Sequence, residues 1–351
     1  MTSSVQLAGP AGLQVVRHDG DPAEWDRFVA ESPEASYAHL AGWREVMTDT
    51  LGHESRYLVG VDAGGVWQGV LPLVHVRSRI FGSYLVSLPF VNYGGPLGSP
   101  SVQQELAVAA LAEASRRGVD LLELRGGTMP YDGMGVSNRK ATVLLDLQET
   151  AEAMWKWFPS KLRSQIRRAQ KEEMEVRFGL SEVEPFYEVF SRNMRDLGTP
   201  VLPKQFFEKI ASSLARQAVV GVVYLGTQPV AGGLGFVWRD RFEITWASSL
   251  REFNRKSPNM LLYWSFMEHV IGRGAKTFDF GRCTPGSNTH IFKLQWGGES
   301  EELPWTQWSA NGVRSTPSPD RPIYRFATGA WSRLPLAVAN RLGPVLSRQL
   351  P

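Results

Sequence analysis

The stretches Arg117-Gly-Val-Asp-Leu-Leu-Glu-Leu124 and Arg273-Gly-Ala-Lys-Thr-Phe-Asp-Phe280 decide the fold, because they repeat one pattern at an offset of 156 residues. Each stretch starts at the end of a helical segment, passes through a glycine that ends the helix, and enters a strand. Each strand carries an acid at the same position, Glu123 or Asp279. The predicted elements around the two stretches also follow one order. We therefore interpret the chain as an internal duplication of a mixed α/β unit of about 150 residues.

In both halves the predicted order is helices, a three-strand meander, a late helix and a final strand. In the first half, a hairpin joins Arg56–Val61 to Val66–Val76. In the second half, the strands lie at Val219–Leu225, Pro229–Trp238, Phe242–Ala247 and Ala275–Phe280, with a helix at Asn259–Arg273 before the last. This order predicts an α+β fold, in which each half is a mainly antiparallel sheet flanked by helices, with a parallel step where the late helix crosses over.

Length and composition limit the domain count and the compartment. The 351 residues favour two domains, which we place at residues 1–150 and 151–308, followed by a basic amphipathic helical tail at 309–351. A single cysteine, Cys283, excludes an internal disulfide. The sequence starts without the features of a signal peptide, and its longest uncharged stretch, Ile80–Gln104, contains prolines that argue against a membrane span. We therefore expect a cytoplasmic protein, in solution or at the inner face of the membrane.

The sequence lacks the motifs that are typical of several kinds of enzyme. There is no Gly-x-Ser-x-Gly elbow, no Walker A loop and no metal-ligand spacing among the histidines and the cysteine. We therefore predict no metal site and no covalent nucleophile. The glycine-rich segment Ala231-Gly-Gly-Leu-Gly235 lies inside a strand pattern, so we interpret its small residues as a place where a substrate or a backbone approaches closely.

The net charge of +3 hides two basic segments. Trp155–Lys171 carries +6 with no acid, Ser309–Pro351 carries +5, and the rest of the chain carries −8. The first segment is either a solvated surface helix or a contact for a phosphate-rich partner such as an RNA stem, a diphosphate or CoA. The tail mixes arginines with apolar residues, which suits either a membrane-surface segment or a helix docked on the body.

Polar residues on three loops remain as candidates for a site. Asn193, Arg195 and Thr199 lie at a predicted helix end, and Ser257-Pro258-Asn259 opens a helix whose N-terminus can bind an anion. The third group, Asp279, Arg282, Lys293 and Trp296, follows the last strand of the second repeat. Sites of α/β proteins generally lie outside the carboxyl ends of strands.

The chain also resembles the Fem-type, or FemAB-like, members of the GNAT acyltransferase superfamily, especially those encoded with bacterial exopolysaccharide and exosortase systems. The resemblance is carried, in order, by Pro89–Pro96, Lys161–Arg168, Asn193–Pro200, Asp279–Arg282 with Phe292–Gly297, and Trp331–Pro335 through Leu342–Pro344. It implies two tandem GNAT-like domains and transfer of an acyl group to an amine without a covalent enzyme intermediate. In Fem proteins the donor is an aminoacyl-tRNA and the acceptor a peptidoglycan precursor, whereas other relatives use acyl-CoA.

Two departures from the family pattern bear on the donor. Arg255-Lys-Ser-Pro-Asn259 does not match the usual Gln/Arg-x-x-Gly-x-Gly/Ala pyrophosphate loop of acetyl-CoA enzymes, which weakens an acetyl-CoA assignment. The long coiled-coil arm of some Fem proteins is missing as well, which removes an element associated with RNA contact.

Loop position and resemblance together suggest a role for each candidate. Asp279 is expected to accept the amine proton, directly or through water, while Lys293 and Arg282 hold the donor phosphate or stabilise the oxyanion. The expected substrate-binding residues are Asn92, Tyr93, Asn193, Arg195, Thr199, Trp246 and Trp296. The expected donor-phosphate residues are Arg163, Arg167, Arg168, Ser257 and Asn259. No bound cofactor is expected, since aminoacyl-tRNA or acyl-CoA enters as donor substrate.

Three functions are consistent with the sequence. The first is an aminoacyl-tRNA-dependent aminoacyltransferase acting on a cell-envelope or polysaccharide precursor. The second is an acyl-CoA-dependent N-acyltransferase. The third is a non-catalytic binding protein for exopolysaccharide assembly, because a fold alone does not determine function.

Overall fold

The computed structural model describes residues 12–78, 81–126, 130–310, 312 and 328–350. The chain divides into two compact units. Unit 1 comprises Met1–Arg139, Leu303–Ser318 and Arg348–Pro351, and unit 2 comprises Lys140–Glu302 and Pro319–Ser347. The domain limits at 150 and 308 stay a prediction. No helix among the described residues is long and apolar enough to cross a membrane.

Unit 1 contains short strands and three helices. Its elements are β1 (Gln14–Arg17), α1 (Pro22–Glu31), α2 (Gly42–Leu51), β2 (Glu54–Ser55), β3 (Leu58–Val61), β4 (Trp67–Leu71), β5 (Val74–Ser78), β6 (Gly82–Val86), β7 (Leu97–Gly98), α3 (Pro100–Arg117) and β8 (Leu121–Arg125). Helix α1 has Asp21 as its N-cap with Pro22 in its first turn, and α3 ends at Gly118 in the left-handed conformation. Two of the boundaries between the units fall inside β9 (Gly135–Asp146) and β15 (Glu299–Ser309).

The predicted meander of the first half is wrong in one respect. The hairpin between β3 and β4 forms as expected, but Val66–Val76 is not one strand. It breaks into β4, which joins a sheet with β1, β3 and β7, and β5, which pairs with β2 and β6. Pro72 lies at the break, and a proline has no N–H to donate to a continuous ladder.

Unit 2 is built on one continuous set of strands. Its elements are α4 (Ala151–Trp157), α5 (Ser160–Gln170), β10 (Met174–Phe178), α6 (Val183–Asp196), α7 (Lys204–Ser213), β11 (Ala218–Leu225), β12 (Gln228–Trp238), β13 (Arg241–Ser249), α8 (Pro258–Ile271), β14 (Thr277–Asp279), α9 (Asn288–Leu294) and α10 (Leu336–Ser347). The strands lie in the order β10-β11-β12-β13-β14-β9. Strands β11, β12 and β13 form the predicted antiparallel meander.

Helices cover both faces of this sheet. A Cβ on Gly232 would meet Phe186 of α6, whereas one on the next residue, Gly233, would meet Phe266 of α8. Successive residues of a strand point to opposite faces, so α6 and α8 lie on opposite sides of the sheet. Phe242 of β13 and Phe278 of β14 belong to the core on the α8 side.

The parallel step predicted for each half is confirmed. In unit 1, β6 runs parallel to β8 and Val86 is the partner of Glu123. In unit 2, β13 runs parallel to β14 and Glu243 is the partner of Asp279. Each step follows the late helix, α3 or α8. The fold is the expected α+β arrangement of antiparallel-rich sheets flanked by helices.

Other residues of the protein occupy the space next to the glycines of β12. A Cβ on Gly235 would overlap the carbonyl oxygen of Glu243 and the ring of Phe242. The small residues are therefore needed for strand and core packing, where a larger side chain would force the backbone apart.

We predict that Gly235→Ala destabilises the protein by about 2–4 kcal/mol, because the added methyl group has no space in a packed strand. Gly272→Ala is the matched control, since its Cβ would make only ordinary contacts and its φ of −60° is open to alanine. Urea denaturation of both variants measures the difference. Equal stability of the two variants would show that β12 and β13 are not packed this closely.

Candidate active site in unit 2

Strands β13 and β14 pair over only three residues and then separate. The ladder ends at Glu243 and Asp279, and among residues 130–310 no further pairing joins the two segments. Beyond that point β13 continues along β12 to Ser249, whereas residues 280–283 follow β9 through bonds from Phe280 N to the Val143 carbonyl (3.0 Å) and from Cys283 N to the Ala141 carbonyl (2.7 Å). We call the space between residues 244–249 and 280–283 the wedge.

A β-bulge lies one residue beyond the end of this ladder. Leu234 of β12 pairs with Trp246, but the next residue, Gly235, pairs with Ile244. Thr245 is therefore the extra residue in β13. Bulges redirect side chains and are common next to active sites.

Two buried acids mark the apex of the wedge. Glu243 and Asp279 are 2% and 0% exposed and, as partners on parallel strands, lie on the same face of the sheet. Their neighbours Phe242 and Phe278 face the α8 core, so the acids face the opposite side. Buried carboxylates are costly unless they are hydrogen-bonded or paired with a cation.

Asp279 is held by three donors. Its Oδ1 accepts hydrogen bonds from the Gly281 amide (2.8 Å) and the Thr142 hydroxyl, and its Oδ2 accepts one from Arg241 Nη2 (2.5 Å). These bonds tie the end of β14 to both neighbouring strands.

Lys293 extends from α9 to the side of the wedge that residues 280–283 form. Its Nζ donates to the carbonyls of Gly281 (2.6 Å) and Arg282 (3.0 Å), and the side chain is 4% exposed. Burial lowers the pKa of Lys293, and the charges of Cys283 and Asp279 partly oppose this shift. A positive group is thus fixed beside the acids, while the side chain of Arg282 is exposed.

The start of α8 lies next to the basic helix α5. After β13, a 3-10 turn at Arg251–Lys256 leads to Ser257, which has a φ of +56° and caps α8. The two helices pack together, and Arg168 Nη2 approaches the Arg255 carbonyl at 3.4 Å. The predicted phosphate-binding residues Arg168, Ser257 and Asn259 therefore lie in one region.

A group of exposed cations surrounds this region. We call it the basic surface; it consists of Lys161, Arg167, Arg168, Lys171 and Arg255. Arg167 also stacks over the ring of Trp155 at 5.3 Å, and Arg163 is only partly exposed. On α5 the buried residues are Leu162, Ile166 and Ala169, so the apolar face and the cationic arc are as the sequence predicted.

The candidates at the end of α6 serve mainly to connect elements. Asn193 Nδ2 donates to the Ser248 hydroxyl (3.0 Å) and so joins α6 to the β13 side of the wedge. Arg195 is engaged by Asp196 (2.6 Å) and by the Leu334 carbonyl (2.9 Å). Thr199 donates its amide to the Met194 carbonyl (2.9 Å) beyond the helix end. Any contact of these residues with substrate stays a prediction.

The two candidate tryptophans pack against aromatic rings. Trp246 lies edge-on to Phe206 and Phe207. Trp296 is fully buried and packs against Phe158 and Phe280, so in this conformation it presents no surface to a substrate.

In unit 1 the residue that corresponds to Asp279 is Glu123, and other side chains of the protein supply its hydrogen-bond donors. Glu123 accepts hydrogen bonds from Arg125 Nε (2.8 Å) and from Gln307 Nε2 (2.6 Å). Arg125 also donates to the carbonyls of Leu88 (3.1 Å) and Val91 (2.9 Å), which fastens the segment after β6. In unit 1, Arg125 thus connects the end of β8 with the segment that follows β6. In unit 2, the two parallel strands separate and leave the wedge between them.

Of the predicted acceptor residues, Asn92 is buried and its carbonyl accepts a hydrogen bond from Trp305 Nε1 (3.3 Å), while Tyr93 is half-buried.

Glu243 was not among the candidate residues predicted from the sequence. The available signal was an acid placed between two apolar residues of a strand, Phe242 and Ile244. Among the described residues, no group of acids, histidines and cysteine is arranged to hold a metal ion.

A protein-family comparison matches part of unit 2. Residues 158–293 match the family described as "Acetyltransferase (GNAT) domain". This segment contains the basic helix, both acids of the apex and Lys293. No curated protein matches the sequence significantly.

Solved structures share the fold over most of the chain. FemX superposes with a TM-score of 0.64 at 15% identity, covering 89% of this chain and 99% of FemX. The C-terminal domain (DUF2156) of a putative lysylphosphatidylglycerol synthetase from Agrobacterium fabrum gives 0.56 at 12% identity, covering 83% and 94%. A tandem GNAT protein from the clavulanic acid biosynthesis pathway gives 0.54 at 11% identity, covering 87% and 99%.

Residues 158–293 are thus similar to a GNAT acetyltransferase domain. The fold resembles that of FemX and of a tandem GNAT protein over most of the chain.

We predict that Lys293→Met keeps the free energy of unfolding at neutral pH at or above that of wild type, by up to about 2 kcal/mol, because it removes a buried charge. Lys276→Met, at an exposed position, is the control. The pKa of Lys293 is lower in the folded than in the unfolded protein. At pH values approaching the ordinary pKa of 10.5, Lys293 therefore loses its proton more readily in the folded state, so the unfolded state holds more protons than the folded state.

Wild type should therefore gain stability relative to Lys293→Met between pH 7 and pH 10, as measured by denaturation in urea. A loss of more than about 2 kcal/mol in Lys293→Met at pH 7 would mean that the ammonium group is a structural requirement instead.

Proposed function

We propose that unit 2 is an aminoacyltransferase that moves an aminoacyl group from its tRNA to an amine of a cell-envelope or polysaccharide precursor. The observation that carries this proposal is the wedge, which combines two buried acids, a buried lysine and a neighbouring basic surface. The family match supports acyl transfer in general, and the resemblance to Fem-type proteins supports the choice of donor and acceptor.

The reaction is aminolysis of an ester. The acceptor nitrogen attacks the ester carbonyl, the bond from carbonyl carbon to ribose oxygen breaks, and an amide forms. The nitrogen loses one proton, and the released ribose hydroxyl gains one. Such a reaction needs orientation, a neutral amine and stabilisation of the developing oxyanion, but no nucleophilic side chain.

We assign proton transfer and oxyanion stabilisation to the residues of the wedge. Lys293, with Arg282 beside it, supplies positive charge for the oxyanion or for a donor phosphate. Asp279 receives the amine proton through water, because three protein donors already occupy its oxygens. Glu243 shares the apex and is the alternative acceptor for the same proton.

The size of the basic surface favours RNA over a single diphosphate. Five exposed cations spread over α5 and the turn before α8, which exceeds what one pyrophosphate can contact. Acyl-CoA is the second candidate donor, because the N-terminus of α8 follows β13 after a single 3-10 turn and can bind an anion. In both cases the donor is a substrate.

The acceptor and its location follow from the same proposal. We place the reaction in the cytoplasm, where charged tRNA is found, at or near the inner face of the membrane. A role of Asn92 and Tyr93 of unit 1 in binding the acceptor stays a prediction from the sequence. A link to exopolysaccharide assembly belongs to this proposal and rests on sequence resemblance.

The test is incubation of the protein with labelled charged tRNA and with labelled acyl-CoA, together with amine acceptors of the envelope. We expect label to leave the tRNA. Binding of tRNA should weaken with salt with a log–log slope of about −4, because about five cations contact phosphates. Arg167→Gln with Arg168→Gln should reduce this slope by about 2, whereas the exposed control Arg216→Gln should not change it.

Release of label from acyl-CoA, with a shallow salt dependence, would replace the tRNA proposal by the CoA alternative. Binding of an envelope precursor without turnover of either donor would instead identify a non-catalytic protein.

A further inference from the structure

The C-terminal helix α10 docks on unit 2 with its smallest residues. Ala339, Gly343 and Ser347 are the buried positions of the helix and recur every four residues. A Cβ on Gly343 would meet the backbone of Val201, so the helix lies very close to its support. Asn340 Nδ2 approaches the Ser191 hydroxyl of α6 at 3.4 Å.

Three apolar side chains of the same helix point outward. Val338, Leu342 and Val345 are 40%, 45% and 43% exposed. At 100° per residue they fall within an arc of about 60°. A helix that only covered a core would bury such residues and expose the small ones. The orientation of α10 is the reverse, and it creates a continuous apolar stripe on the surface.

The helix and the residues next to it carry exposed cations. Arg333, Arg341 and Arg348 are exposed before, within and just after the helix. Residues 328–350 contain no aspartate or glutamate. An apolar stripe beside arginines is the pattern of helices that lie in the interface of anionic membranes.

We propose that the outward face of α10 binds the surface of an anionic lipid bilayer, with Val338, Leu342 and Val345 inserted among the lipids and the arginines on the headgroups. The face does not suit a second copy of the chain, because a symmetric contact would bring arginines against arginines. This inference concerns where the protein works, and it holds for either donor.

The test is cosedimentation of the full-length protein with vesicles of phosphatidylcholine alone or with about 30% phosphatidylglycerol. Wild type should partition onto the anionic vesicles at least tenfold better than onto neutral ones. The double variant Leu342→Ser with Val345→Ser should lower this partition about tenfold. Val66→Ser, which alters an apolar side chain that is 59% exposed elsewhere, is the matched control and should stay within twofold.

A second variant tests the charges separately. Arg333→Gln with Arg341→Gln should lower binding to anionic vesicles by about tenfold or more at low salt and should leave binding to neutral vesicles unchanged. Because both arginines are exposed, the melting temperature should not change.

Equal partition of wild type onto both kinds of vesicle, or partition that neither double variant changes, would overturn the proposal. A change from dimer to monomer in the serine variant, with vesicle binding unaffected, would also overturn it and would assign the stripe to contact between copies. Transfer to a soluble acceptor amine, measured in parallel, separates these outcomes from failure of the acyl-transfer proposal.

Discussion

The short parallel ladder between β13 and β14 is the constraint on which unit 2 depends. It ends at Glu243 and Asp279, and Asp279 fixes the end of β14 through bonds to Thr142, Gly281 and Arg241. If β14 continued beside β13, the two strands would form an ordinary ladder and the buried acids would have no polar region to face. Because the strands separate, the apex of the wedge can combine burial with polar chemistry, which is the environment that strengthens electrostatic interactions.

The duplicated fold places equivalent acids in two different surroundings. Glu123 and Asp279 occupy equivalent places at the ends of parallel steps. In unit 1, Arg125 neutralises Glu123 and fastens the following segment, so that the step is closed. In unit 2 the equivalent of Arg125 is Gly281, and the cation paired with Asp279 is Arg241 of the neighbouring strand β13. Lys293 of α9 adds a second positive charge, which is held on the carbonyls of Gly281 and Arg282.

Local sequence patterns predicted most of the fold and part of the site. The repeated helix–glycine–strand pattern identified both parallel steps, since glycine and strand signals are local. The break at Pro72 was missed because an apolar run on both sides looked like one strand. Asp279, Arg282 and Lys293 could be chosen as candidates because they lie at or after the end of a predicted strand. Glu243 was missed because its importance depends on pairing with a strand 36 residues later, and pairing partners are not visible in a single sequence.

The central claim is that the wedge of unit 2 carries out acyl transfer. Its most direct test is the initial rate of transfer from labelled donor to acceptor amine in Asp279→Asn and Lys293→Met, with Lys276→Met as control. The account predicts losses of about a hundredfold or more in the first two variants, because each removes a charge placed beside the reacting atoms, and less than a twofold change in the control. Rates within about twofold of wild type in both Asp279→Asn and Lys293→Met would contradict it.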